Sequence, residues 1–159
     1  MTAQKTLGID PGYGRCGWAM LEDTTVIASG CIETNSKDTL AKRYLQIHQE
    51  LKSIIHTHQP TRLAIEKLYI AKNTPTALQV AEARGVILLT AQLHALSIIE
   101  VHPSAVKIAV TSVGNASKAQ VMKMVRLLTK HTIATTQITD DELDAIAVAF
   151  SVPFEMNTH

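Results

Sequence analysis

The sequence predicts an α/β fold: a mixed five-stranded sheet in the order 3-2-1-4-5, with strand 2 antiparallel and helices on both faces. Three observations lead there. Three strand-like segments joined by tight turns open the chain, strand-length apolar runs then alternate with segments of helical periodicity, and the chain closes on helices. Linked hairpins make an antiparallel meander, whereas strand-helix-strand units set parallel strands side by side under their crossover helices.

Residues 5–10, Lys-Thr-Leu-Gly-Ile-Asp, read as a strand that ends in a carboxylate, and Pro11-Gly12-Tyr13-Gly14 is a strong turn signal. Residues 16–20 and 26–32 supply the next two strands around the polar turn at 22–25. From Thr39 to His58 the apolar positions Leu40, Tyr44, Ile47, Leu51, Ile54 and Ile55 recur every three or four residues, the mark of an amphipathic helix that Pro60 closes. Leu63-Ala64-Ile65-Glu66 is a fourth strand, again ending in a carboxylate, and a helix over about 76–96 follows. Residues 97–101 form the fifth strand. Pro103 then suits the first turn of a short helix through Val110, and Ser117 caps a helix over about 118–128. The last helix starts at Thr139, where Thr-Asp-Asp-Glu has the capping-box form.

With 159 residues, 46% apolar and 18% charged, the chain suits one folded domain over 1–159, with a core from about 5 to 152 and a short C-terminal tail. Cys16 and Cys31 lack the spacing of a zinc or redox site. No apolar stretch reaches the ~18 residues of a membrane span, and no apolar run follows Met1–Lys5 as in a signal peptide, so a cytoplasmic protein with no membrane partner is expected. The net charge of +1 does not announce a nucleic-acid binder, so charge distribution matters more than total. Acids at 66, 140–142 and 144 are expected to converge with Asp10, while Lys107, Lys118, Lys123, Arg126 and Lys130 fall in a separate basic stretch.

In the 3-2-1-4-5 order, Asp10 and Glu66 end neighbouring strands at the edge where open α/β sheets bind ligands. Asp141 and Asp144, three apart, share one side of the last helix. If that helix packs beside strands 1 and 4, four carboxylates meet, and like charges ~4 Å apart repel by ~1 to 4 kcal/mol per pair. Such a site needs divalent cations. All-oxygen ligation selects Mg²⁺ or Mn²⁺, and two such ions can drive phosphodiester hydrolysis. Singly, each acid also has a plainer reading: Asp141 favours a helix N-terminus, and Glu66 ends a strand.

Other residues are open in the same way. Tyr69, flanked by Lys67 and Lys72, either stacks on an unpaired base or fills the core. Lys107 and Lys118 are either phosphate contacts or solvated lysines. Ala77, Ala81 and Gly85 form a small-residue ridge whose plainer reading is close packing on the chain's own sheet.

The segments Leu7-Gly8-Ile9-Asp10-Pro11-Gly12 with Gly17, Gly30-Cys31-Ile32, Ala64-Ile65-Glu66, Ala71-Lys72-Asn73, Ala83-Arg84-Gly85-Val86, Lys107, Lys118 and Asp141-x-x-Asp144-Ala-Ile-Ala together resemble the RuvC family of Holliday junction endonucleases. The resemblance spans roughly residues 7–150. It implies a ribonuclease-H-like fold, catalytic metal-binding carboxylates at Asp10, Glu66, Asp141 and Asp144, and Asp140 as a bystander. It further implies DNA contacts at Tyr69, Lys107 and Lys118, with four-way junction DNA as substrate in recombination and repair. Nicks with 5′-phosphate and 3′-hydroxyl ends, a two-fold homodimer and a branch-migration motor as partner are implied by the same resemblance. A nuclease of this fold acting on RNA, a nucleotide-binding ATPase fragment and a silent junction-binding protein are the competing expectations.

Overall fold

The computed structural model describes residues 4–69, 75–129 and 138–155. Five strands form one sheet in the order β3-β2-β1-β4-β5, as expected. β1 (Lys5–Asp10) pairs antiparallel with β2 (Arg15–Glu22), which pairs antiparallel with β3 (Thr25–Glu33). β4 (Arg62–Glu66) lies parallel to β1, and β5 (Ser97–Val101) parallel to β4. The β2–β3 turn is tight, and Asp23 takes a positive φ of 53° there, a conformation that Asp tolerates better than most residues.

Alternation along the strands sends Leu7, Ile9, Leu63 and Ile65 to one face, where α1 (Leu40–His58) and α2 (Ala77–Leu93) bury Ile47, Leu51, Ile55, Ala83 and Ile87 against them. Thr39 caps α1 by accepting from the Lys42 N–H at 3.4 Å, and left-handed Gln59 ends it before Pro60. α2 stops three residues before its expected end because Ala95 turns the chain into β5 with a φ of 56°.

The opposite face carries α3 (Pro103–Thr111), α4 (Lys118–Thr129) and α5 (Asp140–Glu155), whose buried residues include Val106, Val110, Val121, Val125 and Ile146. α5 lies very close to the sheet, and the reason is a row of small residues. Ala19, Gly8 and Ala64 are register partners across β2, β1 and β4. A Cβ at Gly8 would stand 2.3 Å from the Ala145 carbonyl oxygen, and one at Gly17 would stand 2.0 Å from that of Asp141. Gly17 is the register partner of Asp10, so the contact fixes the first turn of α5 over the end of β1.

The capping box forms as expected. Thr139 N–H donates to Glu142 Oε2 at 2.9 Å, and Glu142 N–H returns to Thr139 Oγ1 at 3.3 Å. Ser29 of β3 donates to Glu142 Oε1 at 2.9 Å, which ties the same turn to the sheet. Ser117 caps α4, accepting from Gln120 N–H at 3.3 Å. Cys16 and Cys31 are free thiols. Among the described residues no helix is long and apolar enough to cross a membrane.

The small-residue ridge of α2 does not pack on its own sheet at Gly85. Gly85 is exposed, and a Cβ there would meet nothing within 4 Å, whereas Ala83 and Ile87 face the core. On the outer face with Gly85 stand Leu78, Leu89 and Leu93, exposed by 66%, 60% and 67%.

Candidate active site

Asp10 and Glu66 each follow one residue after the paired Ile9 and Ile65, so they stand side by side at the ends of adjacent parallel strands. Both point to the α5 face, because alternation gives them the side of Gly8 and Ala64. A cavity of about 300 Å³ opens there, lined by Asp10, Glu66, Lys107, Lys118 and Asp144, with Pro103, Val106 and Val148 among its apolar walls. α3 contributes Lys107, α4 contributes Lys118 from its first residue, and α5 contributes Asp144.

The charges act on one another. Burial, then Asp144 and Asp141, push the Asp10 carboxyl up to about 7, against which Lys118 works. Glu66 is also raised, first by burial and next by Asp144, while Lys107 and Lys118 lower it. Lys118 Nζ donates to Asp144 Oδ2 at 2.8 Å, and that hydrogen bond raises the ammonium's own pKa.

The basic residues expected in a separate stretch are therefore partly inside the acidic site. Lys107 and Lys118 line the cavity, and Arg126 reaches Asp140 at 3.5 Å. Asp140 is exposed and does not line the cavity. Asp141 stands at the flank: Arg15 Nε donates to its Oδ2 at 2.6 Å, and Asp141 is absent from the lining although its charge reaches Asp10. Three of the four expected carboxylates thus share the cavity, with the fourth beside it.

Among the described residues, no group of three His, Cys, Asp or Glu side chains stands ready to hold a metal ion. Two of the four acids are instead held by protein cations, Asp144 by Lys118 and Asp141 by Arg15. The donor set nevertheless fits a hard divalent ion: the available donors are carboxylate oxygens, burial and then repulsion from Asp144 and Asp141 raise Asp10, and an ammonium already leans into the negative field.

Tyr69 is not a core residue, being 60% exposed. Its hydroxyl lies 2.9 Å from His102 Nδ1, with the rings 5.7 Å apart and tilted. Lys67 Nζ lies 3.5 Å from His102 Nε2. His102 directly precedes Pro103 of the cavity wall, so Lys67 and Tyr69 sit on the rim. Lys72 and Lys130 lie outside the described residues. Sequence reasoning missed Arg15 and His102. Arg15 was detectable in principle, since alternation puts it on the same face as Gly17, the face that receives α5.

The family model for the crossover junction endodeoxyribonuclease RuvC matches residues 6–152. The chain is 45% identical over 148 residues to a protein of that name from Petrotoga mobilis, covering 91% of this chain and 90% of the relative. It is 43% identical over 150 residues to another from Brachyspira hyodysenteriae, covering 92% and 91%. Among solved structures it resembles Thermus thermophilus RuvC in complex with a Holliday junction substrate, with a TM-score of 0.84 and 23% identity, covering 96% of this chain and 94% of that one. It also resembles the yeast mitochondrial Holliday junction resolvase Ydc2, with a TM-score of 0.64 and 15% identity over 94% of this chain and 77% of that one.

Proposed function

Because this chain belongs to the crossover junction endodeoxyribonuclease RuvC family, we propose that it resolves four-way DNA junctions by paired phosphodiester hydrolysis, acting as one nuclease unit in the cytoplasm during recombination and repair. The observation that carries this reading is the cavity where the ends of two parallel strands meet α5, with Asp10, Glu66 and Asp144 set against Lys107 and Lys118.

In this reading Asp10, Glu66, Asp141 and Asp144 hold divalent ions, two Mg²⁺ per site with Mn²⁺ able to substitute. Bound there, such ions would supply activation of a water and neutralisation of charge on the scissile phosphate. The chain's own residues do the rest. Lys118, whose ammonium donates to Asp144, is placed to donate to a phosphate oxygen wherever a metal would take Asp144. Lys107, on the Glu66 side, neutralises a neighbouring phosphate. The bond from water oxygen to phosphorus forms as the bond to the 3′-oxygen breaks, leaving 5′-phosphate and 3′-hydroxyl ends.

Tyr69, exposed on the rim, offers a ring for an unpaired base at the branch point, a contact worth ~1 to 3 kcal/mol. Lys67 and Lys72 flank it and track the backbone. The apolar stripe of Leu78, Gly85, Leu89 and Leu93 supports a homodimer, since it occupies the outer face of α2. Two-fold symmetry would set two cavities against strands of like polarity. A branch-migration motor is the expected partner of the assembly.

The test is a labelled synthetic four-way junction beside a matched linear duplex, each with Mg²⁺, Mn²⁺ or EDTA. Metal-dependent paired nicks in opposing strands of the junction alone are expected. Equal cutting of RNA hairpins, or no cutting in any metal, contradicts the proposal. Light scattering at micromolar concentration checks the dimer: the native chain should have twice its chain mass, and Leu89→Glu should be monomeric.

A further inference from the structure

We infer that Arg15, backed by Glu33, is a positioning residue that aims the Asp141 carboxylate at a divalent cation. The inference rests on the reading of the carboxylates as metal ligands given above. Arg15 Nε donates to Asp141 Oδ2 at 2.6 Å, and Nη1 of the same guanidinium donates to Glu33 Oε1 at 2.5 Å. One planar group therefore joins the edge strand β3 to the first turn of α5.

The backbone of Asp141 lies close over β2, where a Cβ at Gly17 would stand 2.0 Å from its carbonyl oxygen. What can turn is the side chain, and Arg15 governs that turn. Both contacts the carboxylate makes with described residues, Arg15 Nε and the Cys31 thiol at 3.9 Å, fall on Oδ2. Oδ1 is left for another ligand. Hydrogen-bonded partners behind a ligating side chain commonly set its direction in this way.

Arg15 and Lys118 differ in place and kind. Lys118 lines the cavity and occupies the negative field itself, whereas Arg15 stands outside the lining and bonds from behind. A guanidinium does not lose its proton and has a fixed fork, so it is a permanent strut rather than a replaceable charge. A bare positive charge there would repel an incoming cation. Glu33, ion-paired on its far side, offsets part of that charge, which favours the orienting effect.

The test is a Mn²⁺ titration of the full-length protein followed by the electron paramagnetic resonance of the free ion, which reads binding without cleavage. Arg15→Gln should weaken Mn²⁺ binding by about 10- to 100-fold with little change in melting temperature. Glu33→Gln should weaken it several-fold, by leaving the guanidinium charge uncompensated. In an Asp141→Asn background, Arg15→Gln should add almost nothing, because its effect runs through Asp141. Native or tighter affinity in Arg15→Gln, with binding lost in Asp10→Asn, overturns the role of Arg15 alone. Native affinity in Asp10→Asn overturns the ligand reading itself. Should Arg15→Gln fail to fold, Glu33→Gln decides: several-fold weakening supports the strut, and unchanged or tighter binding contradicts it.

Discussion

The strand carboxylates and the helix carboxylates live under different electrostatic regimes. Asp10 and Glu66 end β1 and β4, form no ion pair among the described residues, and are both raised above the ordinary carboxyl range by burial and by their acidic neighbours. Asp141 and Asp144 sit on the first turns of α5, and each is held by a basic side chain, Arg15 and Lys118 respectively. The sheet thus supplies fixed, poorly compensated charge, and the helix supplies charge whose direction can be set. A cation entering the cavity would gain most from the first pair and, on the helix, would displace Lys118 from Asp144 while leaving Arg15 behind Asp141.

The largest expected consequence concerns the strand pair. Glu66→Gln removes a fixed carboxylate that nothing else can replace, and should slow junction cutting on the order of 10³-fold in single-turnover assays while melting temperature holds. Lys118→Gln comes next. It leaves Asp144 without its ammonium and the phosphate without a cation, so a loss on the order of 10²-fold is expected, read as kcat rather than KM. If the helix side mattered as much as the strand side, the two variants would be equally slow.

The pH dependence of stability sharpens the comparison without substrate. Asp10 has a folded-state pKa of about 7 against an ordinary 3.8, so the folded protein holds this proton where the unfolded chain has lost it. The contribution is fully present below about pH 4 and is lost as pH rises through about 7. Metal-free native protein should therefore lose on the order of a few kcal/mol over that window. Asp10→Asn should flatten the profile and be the more stable of the two at pH 8, as thermal melts would show. An identical slope in both proteins would contradict the assigned strain.

The smallest effect belongs to the rim. Tyr69→Ala should weaken junction binding by ~1 to 3 kcal/mol, and Tyr69→Phe should restore most of it, because the ring rather than the hydroxyl stacks. Loss in both would move the weight to the hydroxyl contact with His102.

Much of this arrangement was legible in the sequence, for physical reasons that differ by element. The sheet order followed from hairpins that must pair locally and crossovers that must run parallel. Asp10 and Glu66 were found because each ends a short apolar strand. The α5 capping box was read directly from Thr139 and Glu142. What the sequence concealed were pairings between distant residues. Arg15 and Asp141 are 126 positions apart, and Lys118 and Asp144 are 26 apart, so no local spacing announces either bond. The outward face of α2 was hidden for another reason: leucines surround the helix, and periodicity does not separate a core face from an exposed apolar face.

The most direct test of the account compares native protein with Asp10→Asn on one labelled four-way junction in Mg²⁺, measuring retention and nicking in the same sample. The account predicts that both proteins retain the junction with similar affinity and that only the native protein cuts it. Nicking by Asp10→Asn at the native rate would show that the cavity between β1, β4 and α5 is not where the strands are cut.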